Sequence, residues 1–272
     1  MGHVEWVQFA RVETVPHAGG VVHASDPFEE PAGGGAVAAV QLARLAGQAL
    51  LITALGDDEH GRSSRRRLAE LGVEVRAALV GAPTRRALTL LDDDGERTIV
   101  TLGERLDPPA ELVQSACHAD GGFDGVYFTA GDAQALREVR ACARVVTASP
   151  RAQHALGHGV ELDALILSAS DELELDRARA AAAEADALVM TEGAGGGSFR
   201  RRGGGEGRWR GVPPPGPIVD NYGCGDSFAG GLTFALARGL ELADALELAA
   251  RCGAACASGR GPYGRQLRGE DL

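Results

Sequence analysis

The sequence predicts a single α/β domain over residues 1–272, with a doubly wound, mostly parallel central sheet that carries helices on both faces. Short apolar stretches with strand character alternate along the chain with longer stretches whose apolar residues recur at helical spacing, as in parallel βαβ units. Two stretches, 9–30 and 75–102, break this alternation. We expect them to form a small added β-sheet.

Each predicted element has its own pattern. The strands are expected at 2–7, 50–55, 125–129, 145–148, 164–167 and 187–191. The helices are expected at 37–45, 63–71, 133–144, 176–185 and 228–238, and Gly239 suits the C-cap of the last helix. Hairpins are expected around the turns at 92–95 and 203–207. In a sheet of this type, ligands bind at the carboxyl ends of the strands.

Composition excludes several classes of partner. The formal net charge of −11 argues against nucleic acid and anionic membranes, both of which require a basic surface. No apolar run reaches the roughly 20 residues of a membrane span. The five cysteines are an odd number without the spacing of a disulfide framework, so we expect a reducing compartment and a cytoplasmic protein.

All of the basic residues are arginines, since the 27 Lys and Arg positions contain no lysine. This excludes a Walker A phosphate loop, the ATP-binding lysine of protein kinases and a pyridoxal phosphate Schiff base. A phosphoryl-transfer site in this chain must therefore use backbone amides, arginine and metal ions.

The segment 220–228 places a glycine-flanked turn and a carboxylate at the start of a predicted helix. The amides of Gly223, Cys224 and Gly225 could surround a phosphoryl group at the positive end of the helix dipole. Asp226 would then accept the proton of an attacking hydroxyl, which is usually worth roughly 100- to 10,000-fold in rate. The same pattern is also typical of an ordinary aspartate N-cap.

The segment 220–228 resembles the C-terminal signature of the ribokinase-like (PfkB) carbohydrate kinases, with Asn221 in place of Thr and Cys224 in place of Ala. Further similar segments follow one another along the chain at 33–38, 55–61, 71–73, 129–132, 168–172 and 191–196. The resemblance implies the ribokinase-like fold, in which the added sheet is a lid over the acceptor pocket. A lid excludes water from the reacting groups.

The resemblance also assigns a nucleotide side to the site. It implies that Thr191, Gly193 and Gly196 line ATP, that Gly223 and Gly225 form the anion hole, and that Asp226 is the catalytic base. Ser168 and Asp171 match a motif that organises Mg²⁺ and its waters. Asp220 matches a position that in some members helps to hold a monovalent cation, and Asn221 makes that cation doubtful here.

The acceptor side departs from the family pattern. Gly33 and Gly34 match the glycine-rich start of a helix, but Val7 and Val37 stand where the family has a sugar-binding Asp and Asn. Glu5 lies on the same face of the first strand as Val7. Each unsatisfied polar partner costs roughly 1 to 3 kcal/mol, so we infer an acceptor that is not ribose in the usual pose. A nucleoside, a modified sugar or a vitamin-like alcohol would be held by Glu5, Arg11 or the segment 84–86.

We therefore expect an ATP-dependent kinase that phosphorylates an alcohol of a sugar, nucleoside or related metabolite. The alternative is a non-catalytic ligand-binding or regulatory protein of the same fold, which the two valines favour. An RNA-binding function for the Arg-Gly tract at 200–210 is disfavoured by the acidic net charge. Because lid sheets with exposed edges often pair, we expect a homodimer formed through the lid.

Overall fold

Strand and helix alternate along most of the chain in the computed structural model, which describes residues 1–92 and 96–272. The strands are β1 Glu5–Arg11, β2 Ser25–Ala32, β3 Ala49–Gly56, β4 Val73–Val80, β5 Arg86–Leu91, β6 Arg97–Leu102, β7 Phe123–Phe128, β8 Ala143–Ala148, β9 Leu162–Ser168, β10 Ala185–Thr191, β11 Gly196–Arg201 and β12 Glu206–Arg210. The helices are α1 Gly34–Ala46, α2 Glu59–Glu70, α3 Ala110–Asp120, α4 Ala133–Cys142, α5 Glu172–Ala181, α6 Cys224–Ala237 and α7 Leu242–Ala257.

The central sheet has the order β12-β11-β10-β9-β8-β7. Strands β7 to β10 are parallel, and β11 and β12 add an antiparallel hairpin at one edge. Along β9, Leu165 and Leu167 pack with α3, α4 and α5, whereas Ala164 and Ile166 pack with α6 and α7. Successive side chains of a strand point to opposite faces, so helices cover both faces of the sheet. The predicted doubly wound class is confirmed.

The first four residues connect this sheet to the parallel pair formed by β3 and β4. The Gly2 amide donates to the Ile52 carbonyl at 3.1 Å, and the Thr129 amide donates to the Met1 carbonyl at 3.0 Å. The buried Met1 ammonium group donates to the Tyr127 carbonyl at 2.7 Å. Burial lowers the pKa of that group to about 5.

A cavity of about 1120 Å³ opens between β3 and β7. Its lining includes Ala49 and Phe123, the first residues of these two strands. It therefore lies at the amino ends of the strands, away from the end where ligands of such sheets bind. None of the predicted site residues lines it.

The lid sheet has the order β2-β1-β5-β6 and differs from the expected bounds. The strand expected at 2–7 begins at Glu5 and belongs to the lid, whereas β4, expected within the lid, pairs in parallel with β3. The pattern of a single strand does not encode which sheet it joins, so these assignments required tertiary contacts. The hairpin of β5 and β6 is confirmed, and its turn at 92–95 falls mainly outside the described residues.

Two further expectations need correction. Cys117 and Cys142 form a disulfide between the last turns of α3 and α4, so the cysteines are not all unpaired. The two helices pack side by side, which a sequence separation of 25 residues does not reveal.

Helix α5 begins at Glu172, ahead of the expected 176, because the Asp171 side chain caps it by accepting from the amides of Leu173 and Glu174. None of the helices in the described ranges combines the length and apolar character needed to cross a lipid bilayer.

Candidate active site

Helix α6 begins at a glycine turn with open space beside Gly225. Gly223 is its N-cap with φ of 84°, a left-handed conformation that favours glycine. A Cβ on Gly223 would lie 3.0 Å from Val37 Cγ1 and 3.1 Å from Pro262 Cβ, whereas a Cβ on Gly225 would meet nothing within 4 Å. The amides of the first turn have no intrahelical acceptor. Together with the helix dipole, amides in this position can bind an anion.

Asp226 lies in the first turn of α6 and does not cap it. The N-cap is Gly223, and no side-chain capping hydrogen bond is present at this helix start. The ordinary N-cap interpretation of Asp226 is therefore wrong. Burial raises the pKa of the Asp226 carboxyl to about 6, with a further contribution from Glu174, while Arg151 and Arg97 act in the opposite direction. A carboxyl with this pKa is ionised at neutral pH and accepts a proton readily.

The glycine-rich start of α1 lies against Asp226. Gly33, the N-cap of α1, has φ of 90°. A Cβ on Gly34 would lie 3.0 Å from Asp226 Oδ1 and 3.2 Å from Thr129 Oγ1. The starts of α1 and α6 thus meet at the Asp226 carboxylate, and glycine at 34 keeps this space clear.

Val7 and Val37 belong to the core. Both are fully buried and pack in the same hydrophobic cluster as Phe9 and Val40. Neither offers a polar group to an acceptor, so recognition of hydroxyl groups has to come from other residues.

Glu5 and Arg85, both predicted from the sequence to contact the acceptor, are brought together. Arg85 Nε lies 3.3 Å from Glu5 Oε2, and His3 Nε2 lies 3.9 Å from Glu5 Oε1. Burial, with Arg105, Arg85 and Arg151, lowers the pKa of His3 to about 3, so its ring is neutral. Burial also raises the pKa of Glu5.

The other residues proposed for the acceptor have different contacts. Arg11 donates to the Val219 carbonyl at 2.6 Å. The Thr84 hydroxyl donates to Asp58 at 2.7 Å, and Arg86 is exposed. Of the proposed set, the structure groups only Glu5 and Arg85.

Sequence reasoning missed Arg151 and Glu174. Arg151 follows β8 and forms ion pairs with Asp171 at 2.9 Å and Glu174 at 2.7 Å. Glu174 is buried and accepts from the Ser168 amide at 2.9 Å. Both residues follow the carboxyl ends of central strands, and that position was the signal that could have found them.

The residues expected to organise Mg²⁺ already have protein partners. Asp171 Oδ1 accepts from two backbone amides and Oδ2 from Arg151. Ser168 Oγ lies 2.9 Å from Ser170 Oγ. Across residues 1–92 and 96–272, no group of three or more His, Cys, Asp or Glu side chains could hold a metal ion. A metal held by protein ligands alone does not fit here, and the role of Ser168 and Asp171 stays a prediction.

The expected nucleotide residues lie at the end of β10. Thr191 pairs with Ser168 of β9 in the parallel register. Gly193, with φ of 59°, has open space where a Cβ would be, and a Cβ on Gly196 would overlap the Trp209 carbonyl. This surface adjoins the carboxyl ends of β9 and β10, where a nucleotide is expected. Its role stays a prediction.

Asp220 holds the loop before α6 in place through two hydrogen bonds. Its carboxylate accepts from the Tyr222 amide at 2.7 Å and from the Gly261 amide at 3.0 Å. The Asn221 carbonyl accepts from lid residue Arg97 at 3.4 Å. The lid thus reaches the loop beside Gly223, while a monovalent cation at Asp220 and Asn221 stays a prediction.

Comparison with solved structures finds the same fold over almost the whole chain. Ribokinase from Arabidopsis thaliana complexed with ribose and ATP has a TM-score of 0.75 at 19% identity, covering 99% of this chain and 95% of that one. The microbiome-derived acarbose kinase Mak1 has a TM-score of 0.82 at 21% identity, with the same coverage. A Burkholderia thailandensis nucleoside kinase in complex with inosine has a TM-score of 0.75 at 18% identity, covering 99% of this chain and 94% of that one.

Two sequence comparisons are more specific. An ATP-dependent ribose-1-phosphate kinase from Halopiger xanaduensis is 37% identical over 103 residues, which are 36% of this chain and 34% of that protein. The match therefore spans about a third of the relative's length. The family model of the pfkB family carbohydrate kinases matches residues 2–109 and 107–266. The chain therefore belongs to the pfkB family of carbohydrate kinases.

Proposed function

We propose that this protein is an ATP-dependent kinase that phosphorylates an alcohol group of a sugar, a nucleoside or a related metabolite. One observation carries the proposal: Asp226, which does not cap its helix, presents a carboxylate with a pKa of about 6 between the starts of α1 and α6. Family membership supports the reaction class.

In the proposed reaction, the acceptor hydroxyl transfers its proton to the Asp226 carboxylate. The acceptor oxygen forms a bond to the γ-phosphorus of ATP, and the bond from that phosphorus to the oxygen of ADP breaks. The amides at Gly223, Cys224 and Gly225 stabilise the negative charge on the transferring group. Arg151 and Arg97, whose charges already act on Asp226, add cationic stabilisation.

We expect ATP to lie along Thr191, Gly193 and Gly196. Mg²⁺ is expected to enter as a complex with the phosphates of ATP, because Asp171 is engaged by Arg151 and by its own helix. The ion neutralises phosphate charge when it is bound. A monovalent cation beside Asp220 would compete with the amides of Tyr222 and Gly261 for the same carboxylate.

Three acceptors are proposed for testing, chosen from the names of similar proteins. Ribose 1-phosphate is named for the Halopiger kinase, and ribose and inosine are named for two of the structural neighbours. We propose a cytoplasmic location, where ATP is available. The disulfide between Cys117 and Cys142 would be unusual in that compartment.

We also propose a homodimer formed through the lid. Strand β6 is exposed along its whole length, and its apolar residues Ile99, Val100 and Leu102 are 41, 49 and 46% exposed. Lid sheets with such an edge associate readily with a second copy of the same edge.

The kinase proposal is tested by ADP formation from Mg-ATP with this panel, for the wild type and for Asp226→Asn. Asp244→Asn is the matched control, because Asp244 is an exposed first-turn aspartate of the next helix. We expect Asp226→Asn to lose at least about 100-fold in kcat and the control to keep full activity. If ATP binds but no acceptor is phosphorylated, the non-catalytic alternative replaces the kinase.

A further inference from the structure

Two thiols that the proposed reaction does not use lie side by side at the start of α6. Three of the five cysteines, Cys224, Cys252 and Cys256, are free. Cys224 is the first residue of α6, Cys256 lies in the last turn of α7, and their thiols share a hydrogen bond. Cys252 is not part of this pair, because its sulfur lies against Gly231, where an added Cβ would be 2.7 Å away.

The close approach of α7 to the start of α6 holds the two thiols together. A Cβ on Gly253 would lie 3.1 Å from the Cys224 carbonyl oxygen and 3.6 Å from Phe228 Cβ, so glycine at this position lets the two helices meet. Cys256 follows Gly253 by three residues, and residues three apart are neighbours on a helix surface. The Cys256 side chain therefore belongs to the same contact between the helices.

The Cys256 thiol also contacts the loops on both sides of the glycine turn. It is buried, and its sulfur lies 3.4 Å from the Tyr222 carbonyl oxygen and 3.7 Å from the Pro262 carbonyl oxygen. Pro262 in turn packs against the turn, since a Cβ on Gly223 would lie 3.1 Å from Pro262 Cβ. A chemical change at the Cys256 sulfur therefore acts directly on the segment that carries the proposed phosphoryl-binding amides.

The two thiols differ in access to solvent and in acidity. Cys224 is half-exposed and Cys256 is buried. Their hydrogen bond lowers the pKa of Cys224 and raises the pKa of Cys256. Arg97 also lowers the pKa of Cys224, while burial and the carboxylates of Asp220 and Asp226 act in the opposite direction. Because the thiolate is the nucleophile, Cys224 is the sulfur that reacts with a dissolved oxidant, and Cys256 is the protonated thiol beside it.

We propose that Cys224 and Cys256 form a redox modification site, at which a hydroperoxide converts the two thiols to a disulfide that inactivates the protein until a dithiol reduces it. Formation of the bond does not depend on the proposed kinase function, whereas the loss of activity rests on it. The site is separate from the disulfide between Cys117 and Cys142, which joins α3 and α4 on the opposite face of the central sheet.

The oxidation proceeds in two steps. The Cys224 thiolate attacks one oxygen of hydrogen peroxide, the O–O bond breaks, and the hydroxide that leaves takes up a proton to become water. The Cys256 sulfur then attacks the sulfenic acid at Cys224, so that an S–S bond forms, the S–O bond breaks and the hydroxide leaves with the Cys256 proton as water. The two thiols lose two electrons, and the peroxide becomes two molecules of water.

The disulfide should disturb the proposed phosphoryl-binding amides. Bonded sulfurs lie about 2 Å apart, closer than the sulfurs of two hydrogen-bonded thiols, so the start of α6 and the end of α7 must shift. Oxidation also removes the proton that Cys256 donates to the Tyr222 carbonyl. Because small displacements near reacting groups are costly, we expect activity to fall at least about 30-fold.

The first test detects the bond itself. Wild-type protein treated with hydrogen peroxide is denatured in N-ethylmaleimide, digested without reductant and analysed by mass spectrometry. We expect a disulfide-linked pair of peptides that contains Cys224 and Cys256, while Cys252 carries N-ethylmaleimide. Oxidation of Cys224 without a link to Cys256 would overturn the inference, as would two thiols that both remain alkylated.

Cys256→Ser tests the second thiol, and Cys252→Ser is the matched control because Cys252 is another buried cysteine of α7. Serine keeps a donor for the Tyr222 carbonyl, so both variants should begin with wild-type ADP formation, and Cys256→Ala replaces Cys256→Ser if circular dichroism shows that the serine variant is unfolded. After peroxide, wild type and Cys252→Ser should regain activity in dithiothreitol. Cys256→Ser should not, because its Cys224 sulfenic acid has no neighbouring thiol and oxidises further to sulfinic acid.

The control variant keeps Cys117 and Cys142, so reduction of that bond by dithiothreitol does not account for a difference between the variants. Full activity of the linked wild type would overturn the proposed inactivation, and recovery of Cys256→Ser would overturn the role of Cys256. If no acceptor supports ADP formation, the linked peptides still decide whether the modification site exists, and the kinase proposal alone fails.

Discussion

Arg151 and Glu174 form a 2.7 Å ion pair between the segment after β8 and the first turns of α5. The pair lies close enough to Asp226 for both charges to act on its carboxyl, in opposite directions. Glu174 also accepts a hydrogen bond from the Ser168 amide. The Glu174 carboxylate therefore connects the last residue of β9 and the first turn of α5 to the proposed site of phosphoryl transfer.

Glu174→Gln should move the pH dependence of activity to lower pH. The substitution removes a negative charge that raises the pKa of Asp226, while the amide oxygen can still accept from Ser168. We expect a loss of about 1 kcal/mol in folding free energy, because Arg151 is half-exposed and keeps Asp171. The measurement is kcat/KM against pH, together with urea unfolding. If the acid limb of the kcat/KM profile lies at the same pH in Glu174→Gln as in the wild type, Glu174 does not act on the pKa of Asp226.

The activity of the wild type should fall below pH 6. Asp226 accepts a proton only when it is ionised, and burial raises its pKa to about 6. We expect kcat/KM to fall about tenfold per pH unit below that value and to level off above pH 7. A flat profile between pH 5 and 7 would show that Asp226 is not the base.

Ionisation of Asp226, which should raise activity, should lower the stability of the fold. Because the folded state holds the Asp226 proton more tightly than the unfolded state, ionisation of Asp226 destabilises the fold as pH rises from about 4 to 6. Asp226→Asn should therefore be more stable than the wild type at pH 7 by up to about 3 kcal/mol, and most of this difference should be gone at pH 4. Thermal unfolding of both proteins at the two pH values measures this difference.

Gly34→Ala should reduce activity without unfolding the protein. The added methyl group would lie 3.0 Å from Asp226 Oδ1, in the space through which the proposed acceptor would reach this carboxylate. We expect a loss of about 100-fold in kcat/KM, since small displacements of reacting groups are costly. Gly81→Ala is the matched control, because a Cβ there meets nothing within 4 Å. Full activity of Gly34→Ala would place the acceptor elsewhere.

Cys224 should be the thiol through which alkylation inactivates the enzyme. It is half-exposed in the glycine turn at the start of α6, and a hydrogen bond with Cys256 lowers its pKa. Cys252 is buried and has a pKa raised to about 12 by that burial. N-ethylmaleimide should inactivate the wild type, ATP should protect it, and Cys224→Ala should be active and resistant. Mass spectrometry that finds Cys224 modified in fully active protein would contradict this expectation.

Val100→Lys should convert the proposed dimer to a monomer. Val100 lies on the exposed edge strand β6, and a lysine there would bring like charges together in a symmetric pair of edges. Analytical ultracentrifugation of the wild type, Val100→Lys and Leu79→Lys tests this. Leu79 is 58% exposed on β4, outside the lid, so its variant should keep the state of the wild type. A monomeric wild type would refute the lid dimer.

Local patterns determined much of this protein. The alternation of strand and helix predicts the doubly wound class because period and length are properties of short segments. The segment 220–228 predicts the start of α6 for a similar reason, since glycine in a left-handed turn and free amides at a helix start are local features. The strand expected at 187–191 was confirmed and begins two residues earlier, at Ala185. The second hairpin was also confirmed, but its turn lies at 202–205 because Glu206 and Gly207 already pair within β12.

Tertiary contacts decided the rest. Strand β1 lies in the lid, Cys117 bonds Cys142, and Glu5 meets Arg85, each through a partner distant in the chain. The pKa of Asp226 depends on burial and on Glu174, 52 residues away in the sequence. Burial and charge interactions depend on distances in the folded protein. The sequence could therefore single out Asp226 as the candidate base, while only the fold could determine its ionisation and the groups that surround it.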